Sequence, residues 1–135
     1  MACLFCEIVS GEIPAGIVWR NDDAVAFLDH RPLFPGHVLL VPVAHIETLA
    51  DLPASQVGSF FQAAQQLERA VESAMAADGS FIAVNNRVSQ SVPHLHVHIV
   101  PRNKGDGLKG FFWPRHQYDS EEHLRQTAEK IRRAL

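Results

Sequence analysis

The chain has 135 residues, of which 47% are hydrophobic, and 12 Lys and Arg against 15 Asp and Glu give a formal net charge of -3. This length is typical of one compact domain, so we predict a single domain over residues 1–135. Because there is no basic excess, we expect no binding of nucleic acid through its phosphates, and because no apolar run approaches roughly 20 residues, we expect no association with a membrane.

The N-terminal stretch MACLFCEIVSGEIP bears on the compartment. Acidic Glu7 interrupts it too early for the apolar core of a signal peptide. We therefore predict a cytoplasmic protein, in which Cys3 and Cys6 stay reduced and are available as thiolates rather than as a structural disulfide. The same stretch places Phe5, Ile8 and Val9 on one face of a short helix, which the segment SGEIPAG ends.

Strands and helices alternate along the rest of the chain. Apolar alternation and bounding turn residues predict five strands, at GIVWR, AVAFLD, HVLLVP, SFIAVN and PHLHVHIVP. The continuous apolar run of the third strand indicates burial on both faces. Apolar residues at three- and four-residue steps predict a long amphipathic helix that begins near Ala54 and ends near Gly79; they are Val57, Phe60, Phe61, Ala64, Leu67, Val71 and Met75.

A last helix is predicted over roughly residues 119–135, with an apolar side that we expect to be buried, formed by Leu124, Ala128, Ile131 and Leu135. The elements together predict an α+β domain: an antiparallel sheet of about five strands with a long central helix and a C-terminal helix, the helices lying to one side.

The stretch HLHVHIVPR carries three histidines at alternate positions. On a strand, His94, His96 and His98 share one face, and at about 3.3 Å per residue the outer two lie roughly 13 Å apart. One metal ion cannot bind all three on a straight strand, so their roles must differ. The options for imidazole are metal ligand, nucleophile, general acid or base, and anion binding, all of which suit chemistry at a phosphoryl group. The alternative is a solvated sheet face without function.

The motif HLHVHIV resembles that of the histidine triad (HIT) superfamily of nucleotide hydrolases and transferases. Three further segments resemble its small bacterial, Hint-like branch: CLFCEIVSGEIPA, AFLDHRPLFPGHVLLVPVAHI, and VNN followed by SQSVPHLHVHIVPR. The resemblance implies that the protein cleaves the α-phosphorus bond of a nucleoside 5'-phosphoramidate or related nucleotide through a covalent nucleotidyl-histidine, and releases a nucleoside monophosphate such as AMP. The alternatives are a dinucleoside polyphosphate hydrolase and a non-catalytic, zinc-stabilised nucleotide-binding module.

The resemblance also implies roles for individual residues. His96 would be the nucleophile, and His98 would contact the phosphate and assist proton transfers. Asn85 would lie near the scissile phosphate, and Ser91, with the backbone after Gln90, would hydrogen-bond phosphate oxygens and the leaving group. Asp29 would accept from the ribose hydroxyls. The rest of the site for a purine nucleotide would be formed by Phe5, Ile8, Phe27, Leu39 and Gln90, of which the apolar members would be ordinary core by periodicity alone.

Cys3 and Cys6 form a Cys-x2-Cys pair, which by itself is also compatible with two buried thiols or a redox pair. In a subset of bacterial members of the family, two such cysteines bind a structural zinc together with the histidine of a P-x-x-H segment and the first triad histidine. The resemblance therefore implies tetrahedral coordination by Cys3, Cys6, His45 and His94, without a catalytic role. We predict no catalytic cofactor.

The chain departs from the family pattern in the loop NNRVSQS, which is shorter than usual. Arg87 stands where a glycine is common and Ser89 where a glycine is usual, which places a side chain at backbone positions that glycine alone adopts without penalty. A guanidinium at Arg87 or Arg102 that faced the site could bind a second phosphate and favour dinucleoside polyphosphates. The resemblance also implies a homodimer.

Overall fold

The structure is a computed structural model that describes residues 2–108 and 115–135. The described residues form a five-stranded antiparallel sheet and three α-helices, as predicted. The strands are β1 (Ile17–Arg20), β2 (Ala24–Leu28), β3 (Val38–Pro42), β4 (Gly79–Val84) and β5 (Val97–Arg102), and the helices are α1 (Leu4–Ser10), α2 (Ala54–Ala74) and α3 (Glu121–Ala134). The strands lie in the order β1-β2-β3-β5-β4. No helix among the described residues has the length and apolar character needed to span a bilayer.

Both faces of the sheet are covered, so the prediction that the helices lie to one side is wrong. On one face, alternate residues of β2 and β3 pack with Phe60 and Leu67 of α2. On the opposite face, Val25, Phe27 and Leu39 pack with Phe5 of α1. The physical reason lies in β2 and β3, where successive residues are buried and each face therefore needs an apolar cover.

Helix α2 ends at Ala74, earlier than the predicted end near Gly79. Ala76 takes the left-handed conformation, with φ 50°, which stops the helix. Met75 just beyond the helix lies against Gly36, where an added Cβ would be 2.6 Å from the Met75 Cγ. The turn that follows the helix therefore lies close to the loop before β3.

Strand β5 begins at Val97, later than predicted, so His94 and His96 precede it. The segment before the strand forms a backbone hydrogen bond outside the sheet: the Leu95 amide donates to the Ile46 carbonyl at 2.7 Å. The Nε2 of His94 donates to the Pro42 carbonyl at 2.8 Å.

Helix α3 begins after Ser120, whose hydroxyl accepts from the His123 amide, within the predicted range. The prediction that its apolar side is buried is wrong: Leu124 is 48% exposed, Ile131 60% and Leu135 100%, and Ala128 is half-buried. Periodicity indicates an amphipathic helix, but it does not identify what covers the apolar side.

Candidate active site

A cavity of about 580 Å³ opens on the face of the sheet that α1 covers. It extends from α1 across β2 and β3 to His98 on β5 and to His96, which directly precedes that strand. Eight of the predicted site residues line it, and these are Phe5, Ile8, Phe27, Asp29, Leu39, Ser91, His96 and His98. The structure therefore brings together the residues that the sequence separates into an apolar pocket and a reacting centre.

Phe5 connects the two halves of the cavity. Its ring meets that of Phe27 edge to face with centroids 5.4 Å apart, and that of His96 with centroids 5.0 Å apart. Helix α1 thus supplies an apolar wall on one side and fixes the orientation of the central histidine on the other.

His96 is buried, and its Nδ1 is 2.8 Å from the carbonyl oxygen of His94. A carbonyl only accepts, so Nδ1 carries a proton and donates it. In the neutral ring, Nε2 then holds the lone pair. The backbone of one triad histidine thereby fixes the next in the tautomer that a nucleophile requires.

A chain of hydrogen bonds fixes the tautomer of His98 in the opposite sense. The Leu33 amide donates to His37 Nδ1 at 3.1 Å, so His37 carries its proton on Nε2. His37 Nε2 is 3.0 Å from His98 Nδ1 and donates to it. The neutral His98 ring consequently holds its proton on Nε2. Burial, with smaller effects of His96 and His37, lowers the pKa of His98 to about 4, so the ring is neutral near pH 7.

Asp29 lies at the mouth of this cavity beside the same histidines. Its Oδ1 accepts from the Arg31 amide at 2.9 Å, and its Oδ2 is 3.8 Å from His37 Nε2. The carboxylate is fixed by the backbone while its side chain remains 18% exposed. It is therefore held in place with room to accept from a hydroxyl group of a ligand.

The loop 85–91 carries the remaining predicted residues, and the structure divides them. Ser91 lines the cavity, whereas Asn85 lies in an adjoining groove. Gln90 is not among the cavity residues; its side chain accepts from the Arg87 amide at 2.8 Å and donates to the Glu47 carbonyl at 2.7 Å. Gln90 therefore clamps the loop to the segment that precedes the central helix.

The two arginines have different surroundings. Arg102 forms a bidentate pair with Asp106, with 2.6 Å between Nε and Oδ2 and 3.1 Å between Nη2 and Oδ1. Its Nη2 also donates to the Leu108 carbonyl. The guanidinium is therefore occupied by hydrogen bonds within the turn that follows β5. Arg87 is exposed, and it and Ser89 have φ of 67° and 60°, the left-handed conformation.

A second cluster includes His94, which is not among the residues that line the cavity. The ligand atoms of Cys3, Cys6, His45 and His94 all lie within 4.8 Å of one another. His45 Nδ1 is 3.3 Å from Cys6 Sγ, and His94 Nδ1 is 3.5 Å from both sulfur atoms. In tetrahedral zinc, ligand atoms about 2.0 to 2.3 Å from the metal lie about 3.3 to 3.8 Å from one another, which matches these separations.

The tautomer of His94 also fits a metal ligand. Because Nε2 donates to the Pro42 carbonyl, Nδ1 presents a lone pair to the two sulfur atoms. Burial lowers the pKa of His94, which favours the neutral ring that binds metal. A backbone acceptor on the far nitrogen of a ligating histidine is typical of metal sites.

Sequence reasoning missed several residues of the cavity. His30 and Val92 line it, and so does the segment 14–16, which the sequence indicated only as the end of a helix. Nothing in their own pattern indicates a site, because they reach the cavity through the positions of β2 and α1. The bond of His37 to His98 depends on the pairing of β3 with β5, which the local sequence does not reveal.

Comparisons with known proteins agree with this geometry. A family model described as the HIT domain matches residues 10–105. The "Protein hit" of Bacillus subtilis is 34% identical over 98% of this chain and 94% of its own. An adenylylsulfatase of Arabidopsis thaliana is 31% identical over 98% of this chain and 69% of its own. A bis(5'-nucleosyl)-tetraphosphatase (asymmetrical) of Schizosaccharomyces pombe is 33% identical over 74% of this chain and 57% of its own.

Solved structures show the same fold. The crystal structure of a HIT family member from B. subtilis has a TM-score of 0.92 at 34% identity and covers 100% of this chain and 98% of its own. A zinc-bound histidine triad family protein from Mycobacterium smegmatis has a TM-score of 0.75 at 35% identity, and the match covers 100% of this chain and 99% of its own.

Proposed function

The chain belongs to the HIT domain family, and from this premise we propose that it is a nucleotide hydrolase that cleaves nucleoside 5'-phosphoramidates through a nucleotidyl-His96 intermediate. The adenylylsulfatase and tetraphosphatase relatives support hydrolysis of a nucleotide. Their names differ in the group attached to the nucleotide, so they support the reaction class more than any one leaving group.

The observation that carries the proposal is the state of His96. Its Nδ1 is bonded to the His94 carbonyl, and the ring lines the cavity, so Nε2 is the nitrogen free to attack phosphorus. In the first step the bond between Nε2 and the α-phosphorus forms, and the bond from phosphorus to the leaving group breaks. In the second, water attacks phosphorus and releases His96. Overall, water supplies a hydroxyl group to phosphorus and a proton to the leaving amine.

Other residues stabilise the charge that develops on the phosphoryl oxygens. His98 presents the Nε2 proton that the bond from His37 leaves available, and Ser91 lies on the same cavity. Donors fixed before the reaction are most effective where charge develops in the transition state. The proposed place of Asn85 is the side from which the leaving group departs, because it lies in the adjoining groove.

The nucleoside half of the substrate would lie against Phe5, Ile8, Phe27 and Leu39, with the ribose at Asp29. These walls offer dispersion and stacking and few hydrogen bonds, so they suit a purine without strong selection between purines. Gln90 would contribute by holding the loop rather than by touching the nucleotide, because both ends of its amide are occupied.

We also propose that Cys3, Cys6, His45 and His94 hold a structural zinc ion, which would tie α1 to the sheet. Zinc with four protein ligands has no open position for substrate, so its contribution would be to stability. The donor distances and the zinc-bound relative support this assignment. The cytoplasmic location, the homodimer and the single domain stay predictions.

The proposal is tested by mass spectrometry of the intact protein during incubation with adenosine 5'-phosphoramidate, with release of AMP followed in parallel. We expect a transient adduct of the mass of an adenylyl group and release of AMP. Both should be lost in His96→Gly and kept in the control His116→Gly, which replaces an exposed histidine outside the cavity.

Two results would contradict the proposal. Turnover of dinucleoside polyphosphates without turnover of the phosphoramidate would favour the rival hydrolase. Binding of nucleotide without turnover of either substrate would favour a binding module, which should be insensitive to His96→Ala.

A further inference from the structure

A second groove, of about 410 Å³, adjoins the nucleotide cavity. It lies along the edge strand β4, and its lining includes Leu33, Phe81, Ala83, Asn85 and His98. His98 lines the first cavity as well, so the two spaces meet at this residue. A ligand that reacts beside His98 can therefore extend into both.

The pairing of β4 with β5 explains how the groove faces the reacting centre. Ala83 is the direct partner of His98, and paired residues of antiparallel strands project from the same face. Phe81, two residues before Ala83 on the strand, projects from that face too, and Asn85, which follows the end of β4, also lines the groove. In the strand order, β4 lies on the opposite side of β5 from β3 and β2, which carry the nucleoside walls. The nucleoside and the groove are thus on opposite sides of the histidines.

The chemistry of the groove is apolar. Among the residues that the structure describes, no Lys or Arg lines the groove, and burial keeps His98 neutral, with a pKa of about 4. A polyphosphate chain carries several negative charges and is bound through cationic side chains, especially arginine. Arg102 is committed to Asp106, and Arg87 is not part of the groove. The described lining of the groove therefore offers no cationic side chain to a polyphosphate, whereas Leu33, Phe81 and Ala83 can cover an apolar group.

We propose that this groove is the leaving-group subsite and that it favours phosphoramidates whose amine carries an aromatic or branched aliphatic group. The inference rests on the proposed phosphoramidase function and names its substrate class. In the reaction, the P–N bond of the substrate breaks, His96 carries the nucleotidyl group to water, and the amine departs through the groove with a proton that is ultimately supplied by water. Asn85, at the junction of the groove with His98, is placed to donate to the departing nitrogen or a phosphoryl oxygen.

The test compares kcat/KM for three adenosine 5'-phosphoramidates: the unsubstituted compound, the N-isobutyl compound and the N-(2-phenylethyl) compound. Diadenosine tetraphosphate is measured beside them. We expect the two substituted compounds to exceed the unsubstituted one by about 10-fold or more, as for an apolar group that fills a hydrophobic pocket. The tetraphosphate should be the poorest substrate.

Two variants locate the preference on the protein. Leu33→Asn adds a polar side chain to the groove and keeps the backbone amide that holds His37, so the preference for the substituted compounds should fall by about 5-fold or more. Val18→Asn is the matched control, because Val18 and Leu33 are both 50% exposed and Val18 lies on β1, away from the groove. The control should leave the preference as it is.

Three outcomes overturn the inference: equal rates for the three phosphoramidates, a faster reaction with the tetraphosphate, or an equal effect of the two variants. Failure of the wild-type protein to hydrolyse any phosphoramidate is a different result, since it contradicts the proposed function itself. Turnover of the unsubstituted compound without an apolar preference leaves the function in place and removes the subsite.

Discussion

The bonds around His98 bear on how a histidine without a charge can assist phosphoryl chemistry. The chain of hydrogen bonds runs from the Leu33 amide through His37 to His98. Its first donor is a backbone N–H, which does not give up its proton near pH 7. His37 therefore cannot pass its Nε2 proton to His98 and be reprotonated on Nδ1. We therefore propose that His98 serves as a donor toward the cavity. That it also assists proton transfers, as the family resemblance implies, stays a prediction.

We predict that His37 is a positioning residue that fixes the tautomer of His98. In His37→Gln, the side-chain amide can still donate to His98 Nδ1, so activity should remain within a few-fold of wild type. In His37→Leu, this bond is lost and His98 can place its lone pair toward the phosphate, so kcat/KM should fall by about 10-fold.

The tautomer itself can be measured. Nitrogen NMR of labelled histidine should show the Nε2-protonated form of His98 in wild type and His37→Gln, and a mixture of tautomers in His37→Leu. Equal activity of the two variants, or an unchanged tautomer in His37→Leu, would contradict the role of His37.

Backbone strain in the loop 85–91 gives a prediction about stability. Ser89 has φ 60°, a conformation that costs a residue with a side chain about 1 kcal/mol. Ser89→Gly should therefore raise the free energy of unfolding by about 0.5–1 kcal/mol, as measured by urea denaturation. Val88→Gly in the same exposed loop is the control: Val88 does not have positive φ, so added freedom should lower stability. The same sign of change in both variants would contradict the strain.

At the scale of the elements, helix α1 connects the two sites. It supplies Phe5 to the candidate active-site cavity and Cys6 to the proposed zinc cluster, and it has only 7 residues. A helix this short is not stable on its own, so contacts with the sheet must hold it. Phe5 and Val9 pack on β2 and β3, and the cysteines reach His45 and His94.

We predict that the metal cluster is needed to hold α1 on the sheet. The wild-type protein should contain about one zinc ion per chain by elemental analysis, and Cys6→Ser should lose most of it. Amide hydrogen exchange should then quicken in α1 and in the segment around His45, because both would lose their clamp. Ser10→Ala, in the same helix but outside the cluster, should keep both the metal and the protection. Full protection of α1 in metal-free protein would contradict the clamp.

The sequence predicted elements better than their surroundings. Apolar patterns bounded by turn residues located all five strands. In β2 and β3 the pattern is clear because residues buried on the covered faces are apolar. The start of β5 was predicted too early, because the bond from Leu95 to Ile46 depends on a segment about fifty residues away. The nucleotide cavity was anticipated through the family resemblance, since apolar residues such as Phe27 have the same pattern in a pocket as in a core. The groove at β4 was not anticipated, because it requires the pairing of Ala83 with His98.

At the scale of the whole molecule, two of the exposed apolar surfaces in the part of the chain that the structure describes bear on association. The apolar side of α3 is exposed, and so is Ile82 on the edge strand β4, at 44%. Exposed edge strands and apolar helix faces both favour association. The resemblance implies a homodimer, and a second copy of the chain would cover surfaces of this kind.

We therefore predict that the protein is a homodimer and that α3 contributes to its interface. Sedimentation should give twice the mass of the chain. Ile131→Glu places a charge on the apolar side of α3 and should weaken the dimer by about 10-fold or more, because a charge buried in an interface without a partner is costly. Gln126→Glu changes the net charge equally but projects about 140° away around the helix, so it should leave the dimer intact. A monomeric wild-type protein would contradict the dimer, whereas a dimer equally stable in Ile131→Glu would place α3 outside the interface.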